Sequence, residues 1–177
     1  MSNFKEVYKA DLQRYGNDKI DKYIKLWTYL FRKCQFSRGG VQKIYHALLL
    51  MVGKKHGIEI DYPVQIGKGL FIAHPYGITI NDKVVIGQNC NIHKGVTIGQ
   101  ENRGTRKGVP IIGNRVWIGV NATVIGKITI GNDVLIAPNS YVNFDVPPHS
   151  IVIGNPGNVI FRENATEGYI NNLYYND

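Results

Sequence analysis

Residues 112–142, IGNRVWIGVNATVIGKITIGNDVLIAPNSYV, carry an Ile or Val at every sixth position. The same spacing extends upstream to Ile60 with two interruptions. The thirteen residues that open these units are Ile60, Ile66, Ile72, Ile80, Ile86, Ile92, Ile98, Ile112, Ile118, Val124, Ile130, Ile136 and Val142. A six-residue period fits neither an amphipathic helix nor an alternating strand. It predicts short strands that turn a corner every six residues around a triangular parallel β-helix.

Three such units complete one coil, so openers one coil apart should stack at the ordinary strand separation of about 4.8 Å. The predicted stacks are Ile60, Ile80, Ile98, Ile118 and Ile136; Ile66, Ile86, Val124 and Val142; and Ile72, Ile92, Ile112 and Ile130. The units amount to nearly five coils. Because each coil buries its apolar ladder only against its neighbours, something must also cover the ends of the solenoid.

The remaining composition limits the class of protein. The 177 residues, 44% of them hydrophobic, are enough for one or two modest domains with a core. The absence of a long apolar run and of a signal peptide predicts a cytoplasmic protein. Cys34 falls in a predicted helix and Cys90 at an inward position of the solenoid, so we expect both to be reduced packing residues.

The net charge of +8 is compatible with several partners. The basic residues form no aromatic-interleaved stripe and no DNA-reading motif, so nucleic acid ranks last. A phosphorylated cofactor, an acidic glycan and an anionic membrane surface remain open.

Residues 1–57 are predicted to be helical. Apolar side chains recur at helical spacing from Asp18 to Phe31 and again from about Gly40 to Lys55, with Ser37 as a candidate N-cap of the second helix. We expect these helices to cap the open first coil; the alternative is that they bind a membrane surface. The predicted division is a helical region at 1–57, a β-helix domain at 58–160 and a C-terminal tail at 161–177.

The repeat is interrupted at two places. Eight residues instead of six separate Ile72 from Ile80, and the stretched segment contains His74. Fourteen residues separate Ile98 from Ile112, and the polar, Gly-rich residues 100–109 between them predict a loop that leaves the solenoid wall. Loops on a rigid scaffold often carry binding groups, although a solvated loop or a structural His would look the same.

The stretch from Ile58 to Pro156 resembles the hexapeptide acyltransferases, and within them the serine acetyltransferase branch with its relatives that O-acetylate surface polysaccharides. The resemblance is carried by IEIDYPVQIGKGLFIAHPYGITI at 58–80, NCNIHKGVTIGQ at 89–100, the loop that ends at Pro110, and VPPHSIVIGNP at 146–156. It implies a left-handed parallel β-helix with an N-terminal α-helical cap. It also implies acetyl-CoA as donor, a hydroxyl group as acceptor, and a homotrimer with active sites between subunits.

A hydroxyl that attacks a thioester must lose its proton, which requires a base with a pKa near 7. By resemblance that base is His74. A carboxylate next to the imidazole would fix its tautomer and offset its charge. Glu59 stands fifteen residues upstream, where the serine acetyltransferases have an Asp, and Asp61 is the alternative partner. His93 is expected one coil above Ala73, either as a strand-surface residue or as an acceptor contact.

Acetyl-CoA is expected to lie against small residues on successive coils, because small side chains let a pantetheine arm approach the strand backbone. The expected cofactor contacts are Gly99, Gly119, Val120, Ala137, Pro138 and Arg162. The last of these would replace the Lys of the family's G-x-P-A-K motif, since residues 154–158 read GNPGN. The close His spacing of metal-dependent hexapeptide enzymes does not occur, so no metal is expected.

The acceptor is predicted from charged side chains of the serine acetyltransferases that this sequence lacks. In the serine acetyltransferases an Asp just before the catalytic His meets the substrate ammonium, and an Arg-His pair before the loop-ending Pro meets its carboxylate. Here these positions hold Ala73, Gly108 and Val109. The leading hypothesis is therefore O-acetylation of a sugar hydroxyl of a surface polysaccharide or its precursor. The alternatives are a serine O-acetyltransferase of cysteine biosynthesis, in which Arg106 or Lys107 meets the carboxylate, and a scaffold without activity.

Overall fold

A computed structural model describes residues 3–17 and 20–175, which form a helical region followed by a solenoid of short strands. The helices are α1 (Phe4–Gln13), α2 (Lys22–Phe36) and α3 (Gly39–Lys54). The strands are β1 (Glu59–Ile60), β2 (Gln65–Ile66), β3 (Phe71–Ala73), β4 (Thr79–Ile80), β5 (Val85–Ile86), β6 (Asn91–His93), β7 (Thr97–Gly99), β8 (Ile111–Ile112), β9 (Val116–Ile118), β10 (Thr123–Ile125), β11 (Thr129–Ile130), β12 (Val134–Ile136), β13 (Tyr141–Val142), β14 (Ser150–Ile153) and β15 (Asn158–Phe161).

The strands form three sheets, which are the three sides of a prism. The first sheet has the order β1-β4-β7-β10-β13, the second β11-β8-β5-β2, and the third β15-β14-β12-β9-β6-β3. All pairings are parallel except that of β14 with β15. The predicted left-handed parallel β-helix of about five turns is thus confirmed.

The register of the coils differs from the predicted one after Ile98. In the structure Ile98 pairs with Val124, Ile86 with Ile112, and Ile92 with Ile118. The predicted stacks are correct for the coils before the loop. They are wrong where they pair a residue before the loop with one after it. The physical reason is that the loop at 100–109 bulges from the corner between β7 and β8, so the chain resumes on the next side of the prism and Ile112 joins the second sheet.

The helical region caps the first coil, as expected. Trp27, Phe31 and Leu49 pack in the same buried cluster as Ile58 and Ile60. This cluster continues without a break into the interior of the solenoid, and it includes the free, buried Cys34 of α2 and Cys90 of the solenoid.

The helix ends differ from the predicted ones. Asp21 is the N-cap of α2, where its Oδ1 accepts from Tyr23 N and Ile24 N, while the predicted start at Asp18 lies outside the described residues. Ser37 is the C-cap of α2, and Arg38 occupies the N-cap of α3 without a side-chain hydrogen bond. Among the helices described, none is long and apolar enough to cross a membrane.

The C-terminal residues fold back over the third sheet. After β15 the chain crosses the outer face of this sheet, where Ile170 packs against Trp117 and Leu135. It then reaches α1, and Asn171 O accepts from Arg14 Nε at 3.1 Å. The tail therefore ties the third sheet to the first helix on one side of the prism.

Candidate active site

His74 lies where the solenoid wall is stretched between the third and first sheets. It follows β3 in the left-handed backbone region, with φ of 53°. At the regular turns of this edge the left-handed residues are Gly57, Gly77, Gly95, Asn121 and Asn139. His74 is an additional one, and left-handed backbone is unfavourable for a residue of this size. The stretch holds its side chain outside the prism, where it is exposed.

The stretched segment is anchored to the end of the helical region. Gly77 N donates to His56 O at 2.9 Å, and Tyr76 N donates to His74 O at 2.7 Å. The imidazole of His56 lies between two phenol rings, with its centroid 3.5 Å from that of Tyr23 and 4.6 Å from that of Tyr76. The cap thereby fixes the backbone that carries His74.

A cavity of about 650 Å³ opens beside His74. Its aromatic walls are Tyr15, Tyr23, His56, Phe71 and Tyr76. Two of the phenol groups are already bonded to backbone: Tyr23 Oη donates to Val52 O at 2.7 Å, and Tyr15 Oη lies 3.2 Å from both Ile72 N and Ile72 O. Burial raises the pKa of each of these two hydroxyls to about 12, so both remain protonated. The cavity therefore combines these ring faces with the charged residues Asp21, Lys22 and Lys55.

His93 lies one coil from Ala73, as predicted, because the two residues are register partners in the third sheet. Its ring centroid is 4.5 Å from that of Trp117, and its Nε2 is buried without a hydrogen-bond partner among the described residues. Burial lowers the pKa of His93, and the charge of His74 lowers it further. His93 is thus held as a neutral imidazole within electrostatic range of the candidate base.

The predicted carboxylate partner does not contact His74 in the described chain. Glu59 faces outward from the first sheet, and Thr79 Oγ1 is 3.5 Å from its Oε2. It borders a different cavity, of about 410 Å³, together with Asp61 and Thr79. Asp61 is no substitute, since its Oδ1 is 2.9 Å from His46 Nε2. Neither carboxylate forms a hydrogen bond or ion pair with His74 in the part of the chain that the structure describes.

The expected column of small residues is divided between two sheets. Gly99 is the register partner of Ile125 in the first sheet, whereas Gly119 and Ala137 follow β9 and β12 of the third. The prediction of a single column is wrong for the same reason as the predicted register of the coils. After the loop the chain resumes on the second sheet, so Gly99 does not align with Gly119 and Ala137. Gly119 and Ala137 are also buried, the latter in the cluster with Trp117.

The other expected cofactor contacts lie at two edges. Val120 and Pro138 follow Gly119 and Ala137 at the edge that carries His74, and Pro138 is exposed. Arg162 lies at the opposite edge of the third sheet, where its N donates to His149 O at 2.8 Å. Of these three residues, Val120 and Pro138 therefore share an edge with the candidate base and Arg162 does not.

The loop at 100–109 is a folded hairpin at the edge between the first and second sheets. Glu101 and Gly108 exchange backbone hydrogen bonds of 2.9 and 3.0 Å, and Arg106 O accepts from Lys127 N at 2.8 Å. The side chains of Arg106 and Lys107 are exposed. The loop and His74 are at different edges of the prism, so the loop does not border the His74 cavity of its own chain.

Two aromatic neighbours of the site, His56 and Trp117, are not predicted from the sequence. A signal exists for His56, because it directly precedes Gly57, which packs on the stretched turn: a Cβ on Gly57 would lie 3.6 Å from Gly77 Cα. No repeat signal points to Trp117, since its partner Tyr169 comes from the tail.

Comparison with known proteins gives the same class of fold. The family described as bacterial transferase hexapeptide (six repeats) matches residues 110–143. Serine acetyltransferase of Synechococcus elongatus is 40% identical over 106 residues, which are 60% of this chain and 43% of that protein. Serine acetyltransferase of Helicobacter pylori is 39% identical over 107 residues, covering 60% of this chain and 63% of that protein.

Among solved structures, soybean serine acetyltransferase complexed with serine superposes with a TM-score of 0.76 at 26% identity, over 89% of this chain and 69% of that one. The chain thus matches about half the length of the two bacterial relatives. These relatives are serine acetyltransferases, so the expected closeness to polysaccharide O-acetyltransferases is not supported. The repeat and the fold of this chain are thus similar to those of the hexapeptide-repeat transferases.

Proposed function

We propose that the protein transfers an acetyl group from acetyl-CoA to a hydroxyl group, with His74 as the general base. The observation that carries the proposal is the position of His74 on a stretched, left-handed turn at the mouth of a large cavity. Its imidazole takes the proton from the acceptor hydroxyl as the oxygen attacks the thioester carbonyl. The same imidazolium then returns the proton to the departing thiolate of CoA.

His93 supports this role as a neutral neighbour. Because burial and the charge of His74 both lower its pKa, His93 does not compete for the proton near neutral pH. Its unpartnered Nε2 is available to a polar group of the acceptor. A second charged imidazole at this place would disfavour the protonated state that His74 must reach.

The donor is proposed to lie along the edge that His74 shares with Val120 and Pro138. Successive coils are about 4.8 Å apart, so these two residues stand about two and three coils from His74, which suits an extended pantetheine arm. Gly99 and the loop at 100–109 lie at another edge. We propose a homotrimer in which the loop of one subunit, with Arg106 and Lys107, reaches the His74 edge of the next.

Serine is the acceptor that the relatives support. The bacterial relatives are serine acetyltransferases. A serine carboxylate requires a cation, which the exposed Arg106 or Lys107 of a neighbouring loop would supply. On this proposal the product is O-acetylserine and the role lies in cysteine biosynthesis.

A sugar hydroxyl is the second candidate, favoured by the His74 cavity itself. Ala73 offers no charge to a serine ammonium, and the carboxylate of Asp21, which lines the cavity, already accepts from Tyr23 N and Ile24 N. The exposed ring of Tyr76 and the ring of Phe71 offer apolar faces of the kind on which sugar rings pack. A site that holds serine must pair both of its charges, because leaving a charged group unpaired costs on the order of 1–3 kcal/mol or more.

Thiol release from acetyl-CoA measures the activity and separates the two acceptors. We expect saturable release with L-serine above the hydrolysis of acetyl-CoA alone, and release slower by a factor of about 100 or more with the His74→Asn variant. Saturation by mono- or oligosaccharides but not by serine would replace serine with a sugar as the acceptor. No acceptor-dependent release with either class, while the protein is folded, would refute the acyltransferase proposal.

A further inference from the structure

The outer face of α3 is apolar and basic. Its exposed large side chains are Val41 (56%), Ile44 (64%), Leu48 (39%), Leu50 (53%) and Met51 (64%). Lys43 and Lys54 are exposed on the same helix, and Gly39–Lys54 contains no Asp or Glu. The inner face, by contrast, is used for the cap: Leu49 and Gly53 are buried. The outer face of α3 thus has no acidic residue of its own, although Leu50 and Lys54 at its C-terminal end border a cavity that Glu59, Asp61 and Asp82 also line.

The net positive charge of the sequence falls in the helical region that contains α3. Residues 1–57 contain 12 of the 21 Lys and Arg residues but only 4 of the 13 Asp and Glu residues. They therefore carry the whole net charge of +8, and the remaining 120 residues are neutral overall. A field of one sign on one end of a molecule orients that end toward an anionic surface.

We propose that α3 docks the protein on a membrane surface that contains anionic phospholipid. A helix with apolar side chains on its exposed side and lysines among them binds in the plane of the headgroups, with the apolar groups at the acyl boundary. The long stems of Lys43 and Lys54 let their ammonium groups reach lipid phosphates. Ile44, Leu48 and Met51 lie at helical spacing and enter together.

The charge argues for lipid over other occupants. The α3 face of a second copy would bring its Lys43 and Lys54 against the same lysines, with no Asp or Glu on either helix to pair with them. A nucleic acid would pair with the lysines but leave the apolar side chains in water. Anionic lipid satisfies both features of the face.

Docking through α3 would also bring the candidate active site close to the membrane surface. Lys55 and His56 follow α3 directly, and both border the cavity beside His74. The mouth of that cavity is therefore held close to the surface on which α3 lies. The docking proposal rests on the charge and exposure of α3, and it stands whether or not the acyltransferase proposal does.

Co-sedimentation of the protein with lipid vesicles tests the proposal. We expect binding to phosphatidylcholine vesicles that contain phosphatidylglycerol, much less to pure phosphatidylcholine, and a loss of binding as salt is raised. Ile44→Gln with Met51→Gln, and separately Lys43→Gln with Lys54→Gln, should each weaken binding by on the order of tenfold.

Matched pairs on the solenoid serve as controls. Ile111→Gln with Ile160→Gln changes residues of similar exposure, 53% and 54%, and Lys83→Gln with Lys127→Gln removes the same charge. Both should bind as the unmodified protein does. Absence of binding to anionic vesicles at low salt, or equal losses in the control pairs, would overturn the proposal. A third outcome would also overturn the proposal: the parent protein does not bind vesicles, and the Ile44 and Met51 variant changes its oligomeric state. That result would identify the outer face of α3 as a contact between copies of the chain.

Discussion

Arg32 of α2 and Asp11 of α1 form a buried ion pair that clamps the helical cap to the first coil. Arg32 Nε is 2.7 Å from Asp11 Oδ2, and the side chains are 2% and 0% exposed. The guanidinium also donates to Ile66 O and Gly67 O at 2.8 Å, while Asp11 Oδ1 accepts from Gly69 N and Leu70 N at 3.0 and 2.9 Å. Each member of the pair therefore satisfies backbone groups of the solenoid corner as well as its partner.

Asp11→Ala is expected to destabilise the protein strongly. It leaves a buried guanidinium without its counter-charge and two backbone N–H groups without an acceptor, which costs on the order of 3–5 kcal/mol. For a chain of this size the melting temperature should fall by about 10 °C. Asp82→Ala, at an exposed position, is the control and should stay within about 0.5 kcal/mol of the parent. Equal melting temperatures for the two variants in a thermal unfolding experiment would contradict the clamp.

Gly87→Ala is expected to be destabilising because glycines stack at the corners of the second sheet. A Cβ on Gly87 would lie 2.6 Å from the carbonyl carbon and oxygen of Gly113, and backbone atoms cannot rotate away. The cost should be about 3 kcal/mol, as in overpacked cores. Gly40→Ala is the matched control, since a Cβ there meets nothing within 4 Å and α3 should gain about 0.5–1 kcal/mol. Chemical denaturation measures both, and the two changes should have opposite signs.

The stacked glycines also bear on how much of the fold can be predicted from the sequence. The six-residue period predicts the β-helix, its approximate number of coils and the stretched turn at His74, while the helical spacing of apolar residues in 1–57 predicts the cap. The second sheet could have been aligned as well, because Gly67, Gly87, Gly113 and Gly131 each follow the opener of their coil. The period alone does not supply this alignment, since a loop can be inserted in a corner without changing the units on either side of it.

The neighbourhood of His74 was less predictable. The clamp between Arg32 and Asp11, the ring sandwich around His56 and the cover of Trp117 by the tail all join residues from separate segments. No repeat relates those segments to one another, so their contacts depend on how the cap and tail pack on the prism. The separation of Glu59 from His74 has the same origin. Glu59 stands fifteen residues before His74 in the sequence, but the two side chains border different cavities.

The stability of the protein is expected to fall in mild acid in part through His93. Burial and the charge of His74 place its folded-state pKa below the ordinary value of 6.5, so the unfolded chain binds the proton more readily. The contribution of His93 is therefore complete above pH 6.5 and is lost as the pH falls toward the folded-state pKa. His93→Gln should lose less of its melting temperature than the parent does between pH 7.5 and pH 5.5, values of pH about one unit on either side of 6.5. An identical loss in both proteins would show that His93 is not held neutral.

The chemical role of His74 is best tested with two substitutions that differ in backbone preference. His74→Ala and His74→Asn both remove the imidazole, but Asn tolerates the left-handed region better, so a shared effect comes from the side chain rather than from the turn. Each should lower acceptor-dependent kcat by a factor of about 100 or more, as loss of a general base does. Because His74 is exposed, the melting temperature of His74→Asn should match that of the parent.

Two further substitutions separate the loss of the base from the loss of any nearby charge or imidazole. Glu59→Gln should lower kcat less than either His74 variant, since no hydrogen bond joins Glu59 to His74 in the described chain. His46→Gln removes an imidazole that lies beside Asp61 rather than at the stretched turn, so it should keep near-normal turnover. Steady-state kinetics with saturating acceptor measure all four variants. Near-normal turnover by His74→Asn under these conditions would exclude His74 as the base, because no proton acceptor would then be missing.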